Sequence, residues 1–397
     1  MSTLSFWQSD HRDADGFCDV AIVGGGVVGA STAYWLRRQH PALRVALFER
    51  GLLASGATGR NAGFVLQGVT SDFATDVERY GDERARRLWA VTRASRDGLL
   101  EAIPPERFDF EASGSLTLAA TPEEDDRLRR SARLMYEAGL PSSYLPPGDV
   151  AQRTSSKGFY GGLLVPTGGM LDPVRLVRAL AEASGAALEE QHPVLHIAPQ
   201  PGGFLLETPR RRVRTAALVL AANAYAPQLV PALSAYVRPV RAQMLATEPM
   251  RPCWLPAPVY SHDGYFYLRQ KATGELLLGG ARHRHAEAEV GYDDAVTEAL
   301  QRDLHAYLAQ HFPQAEGLAV TRRWSGTMGF SPDGLPSVGP IPDLPGAYFA
   351  AGFTGHGLAY GFRVGQMLAE FASGVASPAD ADLFDPMRLK CAAAAHL

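Results

Sequence analysis

A glycine-rich turn near the N-terminus constrains the fold of this chain more than any other stretch. It lies between a short apolar run at residues 20–23, which predicts a strand, and a run of small and apolar residues, which predicts a helix. Gly24, Gly26 and Gly29 complete the pattern G-x-G-x-x-G: they allow a tight turn, a close approach to a pyrophosphate, and packing of helix on strand. A second predicted strand ends at Glu49, whose carboxylate can accept bonds from both ribose hydroxyls. The unit therefore predicts a dinucleotide-binding βαβ fold.

Two further glycine-rich elements indicate which dinucleotide is bound. Residues 55–64 follow the second strand, and residues 351–357 join a predicted strand to a predicted helix near the C-terminus. NAD needs one such loop, whereas FAD is longer and its isoalloxazine ring needs a backbone cradle of its own. The helix N-terminus at the third element can also stabilise negative charge on a reduced flavin. The three elements together favour FAD.

Composition narrows the class of protein. A chain of 397 residues with 46% hydrophobic residues has material for two domains. Its net charge of −4 lacks the basic footprint of a nucleic-acid binder. Three separated cysteines without C-x-x-C indicate a reducing compartment, and no stretch suits a signal peptide or membrane insertion. We expect a cytoplasmic protein that binds no nucleic acid.

Several motifs resemble those of the D-amino-acid-oxidase superfamily of FAD-dependent enzymes. They cover nearly the whole chain and comprise residues 19–26 with Glu49, 55–64 (SGATGRNAGF), 219–225 (VLAANAY), 324–326 (WSG), 333–336 (DGLP) and 352–357 (GFTGHG). The wording of the second and third motifs is most similar to the gamma-glutamylputrescine oxidase branch. The superfamily also includes sarcosine and glycine oxidases.

The resemblance implies an α/β fold with two domains. A Rossmann-like FAD-binding domain of the glutathione-reductase type is expected from residues 1–85, 151–226 and 330–397. Residues 86–150 and 227–329 are expected to form an α+β substrate domain on a mixed, largely antiparallel sheet. The Pro-, Ser- and Gly-rich tract 141–148 is predicted to cross between the domains, and residues 293–311 are predicted to be helical.

The same resemblance implies the residues that contact FAD. They are Gly24, Gly26, Val27, Val28, Gly29, Glu49, Arg50, Gly56, Thr58, Arg60, Asn61, Ala62, Gly63, Val194, Ala222, Gly326, Gly352, Thr354, Gly355, His356 and Gly357. Members that bind flavin covalently use a cysteine before the Asp-Gly motif or a histidine in the second glycine loop. This chain has neither residue there, so we expect non-covalent FAD.

On the substrate side, the resemblance places Phe64 and His356 beside the flavin. Tyr265, Tyr267 and Arg269 share one face of a predicted strand by the period of two, and that face either lines the pocket or packs in the core. Met328 stands where glycine-oxidase-like members place a carboxylate-binding arginine. Either Arg269 replaces that arginine, or the substrate presents a neutral group there. The second option predicts a preference for amines, such as polyamine derivatives, over short amino acids.

The expected reaction is oxidation of a C–N bond in an amine or amino acid, by hydride transfer to FAD, imine hydrolysis and reoxidation by O2 to give H2O2. Sarcosine oxidases use a lysine for oxygen activation where this chain has residues 276–278 (LLL). A dehydrogenase of an amine or 2-hydroxy acid that passes electrons to a quinone or carrier is therefore an alternative, and a flavin-bearing scaffold without turnover is another. His283, His285 and Glu287 alternate, but nothing else supports a metal site, and no metal is predicted.

Overall fold

The chain folds around two large β-sheets, each with eight strands. The computed structural model describes residue 7 and residues 13–389, so Lys390 and Cys391 lie outside the described residues. The strands are β1 (Gly16–Val23), β2 (Val45–Phe48), β3 (Phe64–Val65), β4 (Ser115–Ala119), β5 (Ser143–Leu145), β6 (Gly161–Val165), β7 (Gly169–Met170), β8 (Ala187–Glu189), β9 (His196–Gln200), β10 (Gly203–Glu207), β11 (Arg212–Leu220), β12 (Arg238–Thr247), β13 (Val259–Ser261), β14 (Phe266–Gln270), β15 (Leu276–Gly280), β16 (Val320–Phe330), β17 (Ser337–Pro340) and β18 (Ala347–Ala351). The α-helices are α1 (Val27–Gln39), α2 (Phe73–Tyr80), α3 (Asp82–Ala102), α4 (Pro122–Glu137), α5 (Pro147–Thr154), α6 (Pro173–Ser184), α7 (Ala226–Leu229), α8 (Glu298–His311) and α9 (Gly357–Ala372).

The first sheet has the order β17-β18-β11-β1-β2-β8, with β10 on β11 and β9 on β10. Its centre is parallel: β1 pairs with β2 and β11, and β11 with β18. Helices α1, α6 and α9 pack together on one face, with Val28, Leu180 and Val364 in their shared core. Strands buried on both faces read as continuous apolar runs, which is why residues 20–23 and 45–48 were recognisable in the sequence. This sheet confirms the predicted Rossmann-like domain.

The second sheet has the order β16-β12-β15-β14-β13-β4-β6-β5. Every pairing in it is antiparallel except that of β13 with β4. Helix α8 packs on it, burying Leu300, Leu304 and Tyr307 against Phe266 and Leu278. The predicted mixed, largely antiparallel second domain is therefore confirmed.

The domain boundaries differ from the prediction in two places. Residues 161–165 form β6 and pair with β4 and β5 in the second sheet, although they were assigned to the FAD-binding domain. Helix α3 lies on the other side of its predicted boundary, because Leu88, Val91 and Leu99 pack into the core of the first domain.

Two local predictions also need correction. The tract 141–148 is not a plain crossing, since it contains β5 and the start of α5. Helix α8 begins at Glu298 rather than at Asp293, because the neighbouring Asp294 accepts bonds from Arg60 and Ser325 instead of starting the helix. Among the described residues, none of the helices has the length and apolar character needed to cross a bilayer.

Candidate active site

One cavity of about 1410 Å³ runs between the two domains. Its walls combine the loops at the carboxyl ends of β1, β2 and β11 with side chains from the second sheet and from α2. In doubly wound folds, this edge of the parallel sheet is where ligands bind. Its volume is large enough for a dinucleotide together with a small substrate.

The first glycine turn has the backbone geometry that the motif requires. Gly24 has φ of +117°, and a Cβ there would lie 2.6 Å from the carbonyl oxygen of Ala221. A Cβ on Gly29 would lie 1.9 Å from the carbonyl oxygen of Gly24. Neither position has room for a side chain, so α1 approaches β1 closely and points its N-terminus into the cavity.

Glu49 is held at the cavity wall by backbone donors. Its Oε2 accepts a bond from the N–H of Gly25 at 2.8 Å, and its Oε1 accepts one from Gly51 at 2.8 Å and one from the Ser55 hydroxyl at 3.2 Å. The residue is 9% exposed and lines the cavity. A carboxylate has about four lone-pair sites, so this fixed side chain retains capacity for a ribose hydroxyl.

The second glycine loop is fixed by its own side chains. Thr58 Oγ1 accepts a bond from the N–H of Val27 at 3.2 Å, which ties the loop to the start of α1. Asn61 Oδ1 accepts one from the N–H of Gly63 at 2.7 Å. Arg50 lies over the ring of Tyr225, with Cζ 3.8 Å from its centroid, at the same end of the cavity. Tyr225 was not predicted as a site residue.

Most residues predicted to contact FAD line this cavity. They are Gly24, Gly26, Val27, Val28, Glu49, Arg50, Gly56, Thr58, Asn61, Ala62, Val194, Ala222, Thr354, Gly355, His356 and Gly357. Gly29, Arg60, Gly63, Gly326 and Gly352 do not line it.

Arg60 instead joins the two domains. It donates to the carbonyl oxygen of Ser325 and to Asp294, both at 2.8 Å, and a Cβ on Gly326 would lie 2.8 Å from Arg60 Cβ. The backbone of these residues shapes the loops around the cavity without reaching its surface.

The substrate side of the cavity is aromatic. Phe64 meets Tyr260 and Tyr267 edge to face, with ring centroids 5.4 and 6.4 Å apart. The two tyrosines face each other across the pairing of β13 with β14, and all three residues line the cavity. Burial raises the pKa of Tyr267 to about 12 and raises that of Tyr260 further, so both keep their protons at neutral pH. Tyr260 was missed because its role depends on strand pairing, which the sequence did not show.

Arg269 is not at the site, contrary to the first of the two options for binding a carboxylate. It shares a strand face with Tyr267, but its Nη1 donates to the carbonyl oxygens of Leu171 at 2.9 Å and Ala62 at 3.2 Å. Its Nη2 lies 3.5 Å from Glu111, and the side chain is buried. Its Nη1 is thus bound by backbone, and Arg269 does not line the cavity. Tyr265 precedes β14 and does line the cavity.

His356 lies at the start of α9, where the third glycine element reaches the cavity. It is 8% exposed, and its Nε2 has no hydrogen-bond partner. Burial lowers the pKa of His356 to about 4, against the opposing effect of bonds to the carbonyls of Leu66 and Gly68. The ring is therefore neutral at physiological pH. Met328 also lines the cavity, and a Cβ on Gly355 would lie 3.8 Å from its Sδ.

These residues fit FAD. A fixed acidic side chain, glycine-rich loops and a helix N-terminus line the same cavity, and an unpartnered buried imidazole nitrogen points to a polar group that the protein does not supply. Fold and site together define a dinucleotide-binding flavoprotein with a separate substrate domain.

Comparison with known proteins identifies the family. Residues 19–371 match the family of FAD dependent oxidoreductases named DAO. Glycine oxidase of Geobacillus kaustophilus is 31% identical over 370 residues, covering 89% of this chain and 92% of that protein. Gamma-glutamylputrescine oxidoreductase of Escherichia coli K12 is 25% identical over 387 residues, covering 93% and 85%.

Solved structures share the fold. The crystal structure of the Geobacillus kaustophilus glycine oxidase has a TM-score of 0.80 at 25% identity, covering 93% of this chain and 98% of that one. L-proline dehydrogenase from P. horikoshii has a TM-score of 0.79 at 23% identity, covering 95% and 99%. The chain belongs to the DAO family and is an FAD-dependent oxidoreductase.

Proposed function

We propose that this protein uses non-covalently bound FAD to oxidise the C–N bond of a small amine or amino acid, with O2 as the electron acceptor. The observation that supports this most directly is the aromatic cluster of Phe64, Tyr260 and Tyr267 at the substrate end of the cavity. Relatives named for glycine, sarcosine and gamma-glutamylputrescine support the same class of substrate.

The aromatic cluster acts on the substrate amine. A pocket walled by three rings disfavours a solvated ammonium ion and admits the neutral amine, which is the form that gives up hydride. Tyr260 and Tyr267 remain protonated and can donate to the substrate. The rings also keep water away from the reacting carbon and fix its orientation. When bound, FAD would accept the hydride as a two-electron acceptor; the imine product would be released to hydrolysis, and O2 would take up the two electrons and two protons as H2O2.

His356 and α9 act on the cofactor end. The N-terminus of α9 directs its positive dipole into the cavity beside Thr354 and Gly355. Neutral His356 offers Nε2 as an acceptor for an N–H group and carries no charge of its own at neutral pH. Their proposed role is to bind and orient the cofactor.

A dehydrogenase is the second candidate. Leu277 packs against the aromatic cluster, so the segment that corresponds to the oxygen-activating lysine of sarcosine oxidases is apolar in this chain. Such a protein would carry out the same first step and pass its electrons to a quinone or carrier.

Anaerobic bleaching of the flavin separates these candidates. The purified protein is mixed with amines, N-methyl amino acids and both enantiomers of amino acids, and absorbance of the flavin is followed. Bleaching followed by O2 uptake with equimolar H2O2 supports the oxidase. Bleaching reversed by a quinone but not by O2 supports the dehydrogenase. A flavin that none of these compounds bleaches contradicts both candidates.

Acid precipitation tests the mode of attachment. All of the yellow colour is expected in the supernatant, since the second glycine loop lacks histidine and the region around Gly326 lacks cysteine. Colour retained in the pellet would show a covalent bond.

A further inference from the structure

The cavity wall contains four arginines, and they differ in their ion-pair partners within the protein. Arg127 is paired with Asp263 and lies 3.7 Å from Asp72. Arg50 and Arg79 are exposed to solvent. Arg282 is half-buried, and in the described part of the chain no residue forms an ion pair or hydrogen bond with it. Its guanidinium lines the cavity without such a partner, so its donors are free to bind an anion there.

Aromatic rings hold Arg282 in place. Its Cζ lies 4.8 Å from the ring centroid of Tyr265 and 4.6 Å from that of Phe330. Both rings line the cavity. Stacking of this kind engages the faces of the planar guanidinium and leaves its N–H edge free. The free edge has the fork geometry that matches a carboxylate with two parallel hydrogen bonds.

Arg282 is on the substrate side of the cavity. It directly follows the hairpin of β14 and β15, which carries Tyr267. Phe330 ends β16 two residues after Met328, on the same face of the strand. The positive charge of Arg282 also opposes the rise in the pKa of Tyr267, which agrees with their proximity. The cationic group that position 328 lacks is thus present on a neighbouring segment.

We propose that Arg282 binds a carboxylate of the substrate through the free edge of its guanidinium, and so selects amino acids over uncharged amines. This inference rests on the proposed function only in placing the reacting amine at the aromatic cluster. It reverses the preference for amines that Met328 predicts, because Arg282 supplies the positive charge that the thioether of Met328 lacks. Arg269, the earlier candidate, is bound by backbone and takes no part.

Binding of a matched pair of probes tests the proposal without requiring turnover. Benzoate and benzamide have the same shape and differ in charge. Titration calorimetry on the FAD-loaded protein is expected to show benzoate binding at least about tenfold more tightly, in the range for hydrogen bonds to charged groups. Arg282→Met should raise the dissociation constant of benzoate by about 10- to 150-fold and change that of benzamide by no more than about twofold. Arg282→Lys should recover part of the loss, because it restores a point charge without the fork.

Arg284→Met is the matched control. Arg284 belongs to the same short 3-10 helix, is exposed, does not line the cavity and lies 3.5 Å from Asp303. Its replacement should leave the affinity for both probes unchanged. Flavin content and thermal midpoint, measured on every variant, identify loss of folding.

Three outcomes would overturn the inference. Equal affinity for benzoate and benzamide is the first, and unchanged benzoate binding in Arg282→Met is the second. The third is an equal loss of affinity for benzoate and benzamide in an Arg282→Met protein that retains FAD, which would indicate a structural role for Arg282. In kinetics, carboxylated substrates should show a raised KM in Arg282→Met, with kcat much less affected. If benzoate binding depends on Arg282 but no amine or amino acid bleaches the flavin, the carboxylate site stands and the proposed oxidation fails.

Discussion

Asp76 on α2 is a buried acid whose pKa is raised into the neutral range. It accepts bonds from Trp89 Nε1 at 2.9 Å and from the Ser71 hydroxyl at 2.7 Å, and it is fully buried. Burial raises the pKa of Asp76 from 3.8 to about 7. The folded state therefore holds this proton more tightly than the unfolded state does. The stability that Asp76 contributes is present below about pH 4 and is lost as the pH rises to about 7.

We predict that Asp76→Asn becomes more stable relative to the parent protein as the pH rises. Between pH 5 and pH 8 the difference in free energy of unfolding should grow by roughly 1–3 kcal/mol, since each unit of pKa is worth about 1.4 kcal/mol. Variant and parent are compared at each pH because His262 and His356, whose pKa values burial lowers to about 4, change the stability of both proteins with pH in the opposite direction. Urea unfolding at both pH values measures the difference. A constant difference would contradict the prediction.

We predict that Glu49, which lines the cavity, contributes to the affinity for the ribose of FAD. Glu49→Ala should weaken FAD binding by about 1.5–3 kcal/mol, the range for hydrogen bonds to charged groups. It should also lower the stability of the apoprotein, because the N–H groups of Gly25 and Gly51 lose their acceptor. Fluorescence titration of apoprotein with FAD measures the first effect.

Glu190→Ala is the control for Glu49. Glu190 also accepts a backbone N–H, from Leu53, but it does not line the cavity. Its loss should reduce stability without changing FAD affinity. Equal FAD affinity in the two variants would remove Glu49 from the binding site.

At the scale of elements, the sequence predicted what local spacing controls. The three glycine elements, their flanking strands and helices, and the alternation along β14 all follow from periods and turn chemistry. Alternation shows which residues share a face of a strand, but it does not show which parts of the protein each of those residues contacts. Tyr267 opens onto the cavity, whereas Arg269 on the same face binds carbonyls 98 and 207 residues away in the sequence. Arg282 and Tyr260 were missed for the same reason, since strand pairing and ring stacking place them.

The contact between α1 and β1 is the most sterically demanding of these elements. Gly29→Ala would put a methyl group 1.9 Å from the carbonyl oxygen of Gly24, so the helix must move away from the strand. We expect a loss of about 1–3 kcal/mol or more in stability and much weaker retention of FAD. Gly148→Ala in α5 is the control, because a Cβ there meets nothing within 4 Å. A Gly29→Ala protein with the Tm and flavin content of Gly148→Ala would refute the steric argument.

At the scale of the molecule, Arg269 and Arg60 connect the domains around the cavity. Arg269 reaches from the second sheet to Ala62 and Leu171, and Arg60 reaches from the second glycine loop to Ser325 on β16. Hydrogen bonds of this kind fix the distance between the loops that hold FAD and the strands that face the substrate. The sequence could not reveal them, because they join segments far apart in the chain.

We predict that Arg269→Met destabilises the protein without selectively affecting carboxylated substrates. Two buried carbonyl oxygens lose their donor, at a cost of about 1–3 kcal/mol each. Thermal unfolding of the FAD-loaded protein measures the loss. Arg86→Met, which removes an exposed ion pair with Asp82, should cost about 0–1 kcal/mol. A specific rise in KM for amino acids in Arg269→Met would return this residue to the active site.

The hairpin of β14 and β15, with β13 beside it, has a consequence for how such proteins diversify. It presents Tyr260, Tyr267 and Arg282 to the cavity, while the glycine loops of the other sheet surround the remaining length. We therefore expect mutations in this small segment to change substrate fit while the glycine loops of the other sheet keep their contacts with FAD. A duplicated gene can therefore acquire a new substrate specificity through a few codon changes, without first losing its flavin-dependent redox activity.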